Sequence, residues 1–381
     1  MLSRKDISSV LSSYDSNRLT VSVLGSHSAL EVCRGAREEG MRNLAVCQKG
    51  RDSTYSRYYL SRTVKSTGRK AGVIDEIILV DKFADVASEK VRSQLKKKNA
   101  VFVPNRSFSV YVPYDAIEND FDVPLFGNRA LLKAEERWEK RNQYWLMQKA
   151  GLQMPRKFRS AAEIDRLAIV KASEAKRSYE RAFFFASSPE DYEKRAGVLL
   201  REGKVTEEGL KSAVIEEFVV GAQFNFNFFY SPLSQEIELM GTDTRRQTNL
   251  DGLLRLPAAQ QAEVLKHISP TYIEVGHIAS TVRESLLQTA FESAEKLVAA
   301  AKKEFAPGII GPFALQCALV SEEGKEKLVT FDLSLRIPGS PGITATPYSA
   351  CTHGEPVSVG RRIAMEIKDA ARLNRLQEVV T

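Results

Sequence analysis

Only four cysteines occur in 381 residues, Cys33, Cys47, Cys317 and Cys351, and no CxxC pair is among them. That spacing signals neither a disulfide framework nor a thiolate zinc site. Histidine is equally scarce. His27, His267, His277 and His353 stand far apart with no HExxH, which argues against a tight zinc or redox-metal centre. The glycines form neither a Walker A sequence nor GxGxxG, so the usual phosphate cradles are missing, and there is no GxSxG elbow. No apolar run approaches the length of a membrane span, and the opening MLSRKDISSVLSSYD is too polar for a signal peptide. These absences lead us to expect a soluble protein of a reducing cytoplasm with no membrane partner.

What is present is ordinary globular material, 43% hydrophobic and 27% charged. At about 100–200 residues per domain, the length predicts two or three domains with ample core. The formal charge is +7, with both signs interspersed and one dense basic run, Lys96-Lys97-Lys98. That run reads as a solvated helix end before a strand or as a phosphate-contact patch. Charge that is neither clustered nor interleaved with aromatics gives no expectation of nucleic-acid binding, while a mild excess suits small anionic substrates.

The N-terminal third alternates strand and helix signals. Leu19–Leu24 is a β-branched run, followed by Gly25-Ser-His-Ser and a helix over 29–39 that Ser26 or Ser28 caps and Gly40 ends. Further strands are expected at 43–47, 75–80 and 100–104, which makes parallel βαβ units, with a surface loop over 61–72. Residues 126–155 predict one long helix, because Leu131, Trp138 and Trp145 recur every seven residues and the tryptophans read as core.

Beyond Pro155 the pattern changes. Strands are predicted at 167–171, 182–186 and 213–220, with a helix over 189–202 between the last two. Gln223–Tyr230 alternates strictly: Phe224, Phe226, Phe228 and Tyr230 face one side, and Gln223, Asn225 and Asn227 the other. An amide-rich second face is either a wet, ligand-facing cleft or an ordinary solvent face. Strands at 236–240, 311–319 and 327–335 and helices at 285–305 and 357–373 complete an α+β region.

Candidate chemistry sits at strand ends. His27 lies in the turn after the first strand, where a helix N-terminus favours an anion, and it reads as a helix cap or as a ligand contact. Asn105-Arg106-Ser107 lies at the same sheet edge, and two such turns make a phosphate–sugar site. Lys171 ends a buried-looking strand, which is unusual for an ammonium unless it meets an anion. Asp332 interrupts an apolar strand, Arg336 follows on the same face, and Gln316 holds a comparable place in the preceding strand. A carboxylate, an amide and a guanidinium on neighbouring strands suit a magnesium–phosphate centre, or Asp332 and Arg336 form a buried pair.

Read in order, these parts resemble an ATP-grasp enzyme. The blocks LGSHSAL (24–30), KGRD (49–52), VPNRSF (103–108), PLFGNR (124–129), IEEFVVG (215–221), NLDGL (249–253), GIIGPFALQ (308–316) and HGEPVSVGRRIAMEIK (353–368) resemble the archaeal formate-dependent FAICAR synthetase family. The resemblance covers nearly the whole chain. It implies a fold of mixed α/β and α+β class: an N-terminal, Rossmann-like pre-ATP-grasp domain over 1–125, then an ATP-grasp domain over 126–381, divided into a nucleotide-binding lid (156–220) and a catalytic lobe (221–381).

It also implies an ATP-dependent carbon–nitrogen ligase that formylates AICAR to FAICAR through formyl phosphate in purine biosynthesis. ATP and Mg²⁺ (or Mn²⁺) would be the cofactors. Lys171 would touch the ATP phosphates, Glu216, Glu217, Phe218 and Val219 would form the adenine hinge, and Gln223 would hold the ribose. Gln316 and Asp332 would hold the metal. His27, Ser107, Asn249 and His277 would bind AICAR, and Arg336 would counter developing charge. Family members are homo-oligomers, often hexamers.

The chain departs from the family pattern at its active-site segments. Residues 172–181 carry no glycine, so Lys176, Arg177 and Arg181 would supply phosphate contacts. Asp332 replaces the expected Glu, His277 replaces Asn, and Pro338-Gly-Ser-Pro341 follows Arg336 in place of Asp-Gly-Gly. A paralog with another carboxylate or amine acceptor, or an inactive purine-nucleotide-binding protein, are the alternative readings.

Overall fold

A computed structural model of the chain describes residues 2–172, 183–268, 274–322 and 324–381. Helix α1 (Arg4–Leu11) precedes β1 (Thr20–Leu24), α2 (Ala29–Glu38) and β2 (Arg42–Gln48). The expected surface loop over 61–72 instead carries a small hairpin, β3 (Arg62–Thr63) and β4 (Lys70–Ala71). Then follow β5 (Glu76–Val80), α3 (Glu89–Lys97), β6 (Ala100–Val103) and the short α4 (Arg106–Tyr111). All pairings in the sheet β5-β2-β1-β6 are parallel, as the alternation of strand and helix signals predicts. Lys96 and Lys97 close α3 and pair with acidic side chains or solvent at its C-terminal end, where cations favour the helix dipole.

The single helix expected over 126–155 is not formed. Two short helices take its place, α5 (Arg129–Ala134) and α6 (Gln143–Lys149), and a turn over 135–142 separates them. Each helix has its own asparagine cap: Asn128 Oδ1 accepts from Ala130 N–H at 3.1 Å, and Asn142 Oδ1 from Trp145 N–H at 3.0 Å. Seven-residue spacing therefore misplaced Trp138, which is 58% exposed, whereas Trp145 meets Phe305 edge-on. The serine cap expected for α2 is also missing. Ser28 adopts left-handed backbone, and its hydroxyl donates to the Pro338 carbonyl at 2.7 Å.

The next unit holds β7 (Lys157–Phe158), β8 (Ala168–Lys171), β9 (Phe183–Ala186), α7 (Pro189–Arg201), α8 (Glu207–Lys211) and β10 (Val214–Glu217). Its strands form an antiparallel sheet of order β7-β10-β8-β9. The glycine-free segment with Lys176, Arg177 and Arg181 lies outside the described residues. The last region holds β11 (Ala222–Ser231), β12 (Glu236–Gln247), α9 (Thr248–Leu253), α10 (Ala258–Val264), β13 (Glu274–Ala279), α11 (Leu287–Glu304), β14 (Gly311–Glu322), β15 (Lys325–Ser334), α12 (Tyr348–His353) and α13 (Val359–Arg372). Its sheet runs β13-β12-β11-β14-β15, antiparallel throughout. Among the described residues no helix is long and apolar enough to cross a membrane.

Helix α13 returns to the N-terminal unit and packs on α2. The crossing is set by two glycines. A Cβ on Gly35 would lie 2.1 Å from the Arg361 nitrogen, and one on Gly360 would lie 2.2 Å from the Glu31 carbonyl oxygen. Backbone against backbone cannot yield as a flexible side chain can. The Glu31 carboxylate also accepts from Val359 N–H at 3.1 Å, at the N-terminus of α13. Ile363 and Ile367 of α13 thereby share one core with Val21 and Val23 of β1. Gly360→Ala or Gly35→Ala is expected to destabilise the chain by about 3 kcal/mol, the upper part of the range for forced overpacking. Urea unfolding checks this, and a midpoint unmoved in both variants would refute the account of the crossing.

Candidate active site

The three sheets meet at a seam of paired charged side chains, and its first wall is the lid sheet. Lys171 at the end of β8 pairs in register with Val214, and Glu216 lies two residues further along β10, hence on the same face. The Lys171 ammonium is ion-paired with the Glu216 carboxylate and donates to Tyr144 Oη at 3.1 Å. Both Lys171 and Glu216 are buried. Burial pulls the lysine down, but the Glu216 charge outweighs it and holds Lys171 above its usual range. The charged residue in an apolar strand thus meets an anion supplied by the protein itself.

Residues 218–221 carry the chain from the lid sheet to the large sheet. Phe218 N–H donates to the Leu167 carbonyl at 2.9 Å, and its ring meets Phe185 edge-on. Val219 packs against Ala318, Val320 and Val329, and Glu217 pairs with Arg166 at 3.3 Å. Gln223 is exposed near the start of β11. The rest of its face is neither wet nor solvent-facing: Asn225 and Asn227 are buried, and each donates to the Asp243 carboxylate at 2.7 Å.

On the large sheet Gln316 and Asp332 are direct cross-strand partners, and both are buried. The ladder shifts immediately beyond them, where Cys317 pairs with Thr330, so a bulge at Phe331 adjusts how this pair is presented. The Gln316 amide nitrogen donates to Ser334 Oγ at 3.3 Å, which assigns the amide oxygen to any cation. One carboxylate and one amide oxygen suit Mg²⁺, which takes few protein ligands and completes its shell with water and phosphate. Among the described residues there is no group of three or more His, Cys, Asp or Glu side chains placed to hold a metal without such help.

Asp332 and Arg336, for which the sequence also allows a buried pair, each meet another partner. Asp332 faces Arg137 at 3.5 Å, and Arg336 faces Glu135 at 3.5 Å. Both partners come from the turn between α5 and α6. Glu135 also accepts from Leu335 N–H at 2.6 Å, and Gln143 accepts from Leu333 N–H at 2.6 Å, so this turn is strapped to β15 and the residue after it. Arg336 Nε is buried and has no hydrogen-bond partner among the described residues. Burial lowers the Arg336 pKa against the pull of Glu135, the state of a guanidinium with bonding capacity to spare.

The third wall is the C-terminal edge of the parallel sheet. Asn105 Nδ2 donates to the carbonyls of Leu24 at 3.0 Å and His27 at 2.7 Å, while its Oδ1 caps α4. Ser107 Oγ donates to Ser26 Oγ at 2.8 Å. The two turns after β1 and β6 are thus joined, as expected from their place at one sheet edge. His27 lies against Gly339, where a Cβ would come within 2.1 Å of the imidazole ring. Glycine in Pro338-Gly-Ser-Pro341 therefore makes room for the histidine.

Across the seam His27 Nε2 stands 3.9 Å from Glu274 of β13. Glu274 also pairs with His277 Nε2 at 2.9 Å and Arg245 at 3.2 Å, and His277 Nδ1 meets the Asp243 carboxylate at 2.5 Å. Burial pulls the imidazole down, but hydrogen bonds to Asp243 and Glu274 prevail and raise His277 to about 9. Burial would likewise raise Glu274, yet the two histidines and Arg245 hold it well below the carboxylate range. Asn249 falls in α9, and its side chain lies outside the described residues.

Lys171, Glu216 and Asp332 are therefore linked through Tyr144 and Arg137, Gln316 lies opposite Asp332, Arg336 pairs with Glu135, His27 and His277 share Glu274, and Ser107 bonds to Ser26 beside His27. Sequence reasoning missed Glu135, Arg137, Tyr144, Asp243 and Glu274. The strongest available signal was the density of charge in Glu135-Glu-Arg137, which a buried amphipathic helix does not carry.

Two family models match: a protein of unknown function (DUF1246) over residues 21–158 and a domain of unknown function (DUF1297) over 191–381. The chain is 42% identical to the 5-formaminoimidazole-4-carboxamide-1-(beta)-D-ribofuranosyl 5'-monophosphate synthetase of Methanopyrus kandleri, over 100% of both chains. Among solved structures it is similar to an IMP biosynthesis protein PurP from Thermococcus kodakaraensis, at 27% identity and a TM-score of 0.69, covering 95% of this chain and 100% of that one. It shares its fold with an N5-carboxyaminoimidazole ribonucleotide synthetase solved as an ADP complex, at 13% identity and a TM-score of 0.57, covering 90% of this chain and 78% of that one. From end to end, then, the chain belongs to the 5-formaminoimidazole-4-carboxamide ribonucleotide synthetase family, ATP-dependent ligases of ATP-grasp fold.

Proposed function

We propose that the chain formylates the amine of AICAR with ATP and formate, giving FAICAR, ADP and phosphate in IMP biosynthesis. The observation that carries this reading is the run of contacts from Glu216 and Lys171 through Tyr144 and Arg137 to Asp332, the cross-strand partner of Gln316. Residues 1–125 supply the AICAR edge, 156–220 the lid and 221–381 the catalytic lobe. The enzyme works in the cytoplasm as a homo-oligomer, a hexamer in the form expected of its relatives.

ATP lies with its adenine at Glu216, Glu217, Phe218 and Val219, its ribose at Gln223 and its phosphates at Lys171. Gln316 and Asp332 hold Mg²⁺ or Mn²⁺, which when bound neutralises the phosphate oxygens. A formate oxygen attacks the γ-phosphorus and the bond to ADP breaks, leaving formyl phosphate. His27 and Ser107 fix the phosphate and ribose of AICAR, with Asn249 and His277 about its base. The amine nitrogen then attacks the formyl carbon, the carbon–oxygen bond to phosphate breaks, and the departing phosphate takes the amine proton. Arg336, with its spare Nε, faces the charge that builds on the formyl oxygens. His277 remains protonated at neutral pH with both N–H groups given to Asp243 and Glu274, so it does not act as the base.

Asp332→Asn is expected to abolish ADP release almost completely while leaving the melting curve intact; normal turnover would place the metal elsewhere. His27→Ala is expected to weaken AICAR binding by about 1–3 kcal/mol, the worth of a charge-assisted hydrogen bond, and to spare ATP affinity. Calorimetry with both ligands checks this, and equal losses would point to a folding defect.

A third expectation concerns pH. The folded-state pKa of His277 lies above its ordinary 6.5, at about 9. The stability it contributes is therefore complete below pH 6.5 and disappears as the pH rises through 9. Melting temperatures should fall more steeply between pH 7 and 10 in the wild type than in His277→Asn, and parallel curves would contradict the assignment.

A further inference from the structure

The turn between α5 and α6 places Arg137 between the two halves of the nucleotide site. On one side its Nη2 stands 3.5 Å from Asp332 Oδ2. On the other its Nε donates to Tyr144 Oη at 3.3 Å, and that same phenol accepts from Lys171 Nζ at 3.1 Å. The guanidinium lies over the Phe183 ring, 5.5 Å from its centroid. A continuous line of contacts thus runs Glu216, Lys171, Tyr144, Arg137, Asp332, from the lid sheet to the large sheet. The loop carbonyl of Arg137 is itself held, since Asn142 Nδ2 donates to it at 2.8 Å.

Two features of this line are informative. First, the contact with Asp332 is long for a guanidinium and a carboxylate, whose charge-assisted bonds settle at about 2.7–2.9 Å. Arg137 neutralises Asp332 without clamping it. Second, Asp332 is the one carboxylate of the Gln316–Asp332 pair, and its burial makes an opposite charge beside it favourable. Arg137 is a cation that faces it.

We propose that Arg137 stands in for the divalent cation at Asp332 in the nucleotide-free enzyme, and that the incoming metal–nucleotide displaces it. Released from Asp332, the guanidinium remains beside Tyr144 and Lys171, within reach of the phosphate tail bound there. Arg137 is then both the competitor that keeps free metal off Asp332 and a phosphate contact once the nucleotide is in place. Metal binding and nucleotide binding become coupled through one side chain, because a metal arriving alone displaces the cation without giving it an anion, whereas a metal–nucleotide provides both.

This inference rests on the placement of the metal at Gln316 and Asp332. It is tested by titrating Mn²⁺ into nucleotide-free protein and following the free ion by electron paramagnetic resonance. Arg137→Gln is expected to bind Mn²⁺ at least ten-fold more tightly than the wild type, while its rate of ADP release at saturating Mn²⁺ falls at least 100-fold. Arg137→Lys, which keeps the charge and the fold, should bind Mn²⁺ with an affinity between the two.

Asp332→Asn, alone and combined with Arg137→Gln, should remove the tight Mn²⁺ site. If Asp332→Asn removes it but neither Arg137 variant tightens it, Arg137 is a structural strut and the proposal is wrong. If Asp332→Asn leaves Mn²⁺ binding intact, the metal placement fails and the proposal falls with it. A merely structural arginine lowers activity without raising metal affinity, so the opposite signs of the two readouts decide the question.

Discussion

Buried charge at the seam of three sheets is the constraint on which the rest of the structure depends. Lys171, Glu216, Asp332, Arg336 and Glu135 are all largely withdrawn from water. Each is tolerable only because an opposite charge faces it. Lys171 meets Glu216 within the lid sheet, but Asp332 and Arg336 each depend on the turn over 135–142, which contributes Arg137 and Glu135. The turn therefore closes the electrostatic balance of a lobe to which it does not belong in sequence. A continuous helix there would have carried Arg137 and Glu135 round its axis, away from Asp332 and Arg336.

The same seam depends on how the chain ends. Helix α13 lies across α2 at backbone contact, and Val380 and the terminal Thr381 lie beside the strand-like segment at 125–126 that follows β6. The parallel sheet is thus buttressed by residues more than 250 positions away. This contact fixes the N-terminal edge, with His27 and Ser107, relative to the large sheet, with Glu274 and Arg336. A charge pair such as His27–Glu274 at 3.9 Å is too weak to position two lobes, and the helix crossing supplies that rigidity.

Period and punctuation made most of the fold legible. The parallel units and the alternating strand at 223–230 needed only hydrophobic spacing and capping residues. Lys171, Asp332, Arg336 and His27 stood out because charge at a strand end or in an apolar run asks for a reason. The turn at 135–142 was not legible, because a seven-residue recurrence of Leu131, Trp138 and Trp145 mimics a helix stripe and the decisive features are two asparagine caps. Nor was β13. Its six residues, Glu274-Val-Gly-His-Ile-Ala279, are all exposed or half-buried, and its value lies in the partners it meets on β12, such as Arg245 opposite His277. Which cation would face which carboxylate is a property of the assembled seam, and no local pattern encodes it.

The histidine at 277 shows what such a seam permits. An imidazole between Asp243 and Glu274 takes a proton because two carboxylates demand one, and Asn225 and Asn227 satisfy the remaining oxygens of Asp243. An amide at this position would bring no charge. Protonated His277 instead lets Glu274 stay ionised while sharing itself among His27, His277 and Arg245. Under the proposed placement of AICAR, an anionic group arriving at His27 would compete with Glu274 for that histidine, and Glu274 would keep its contacts with His277 and Arg245. The substitution at 277 is therefore compatible with anion binding at His27, since it lowers the cost of releasing it.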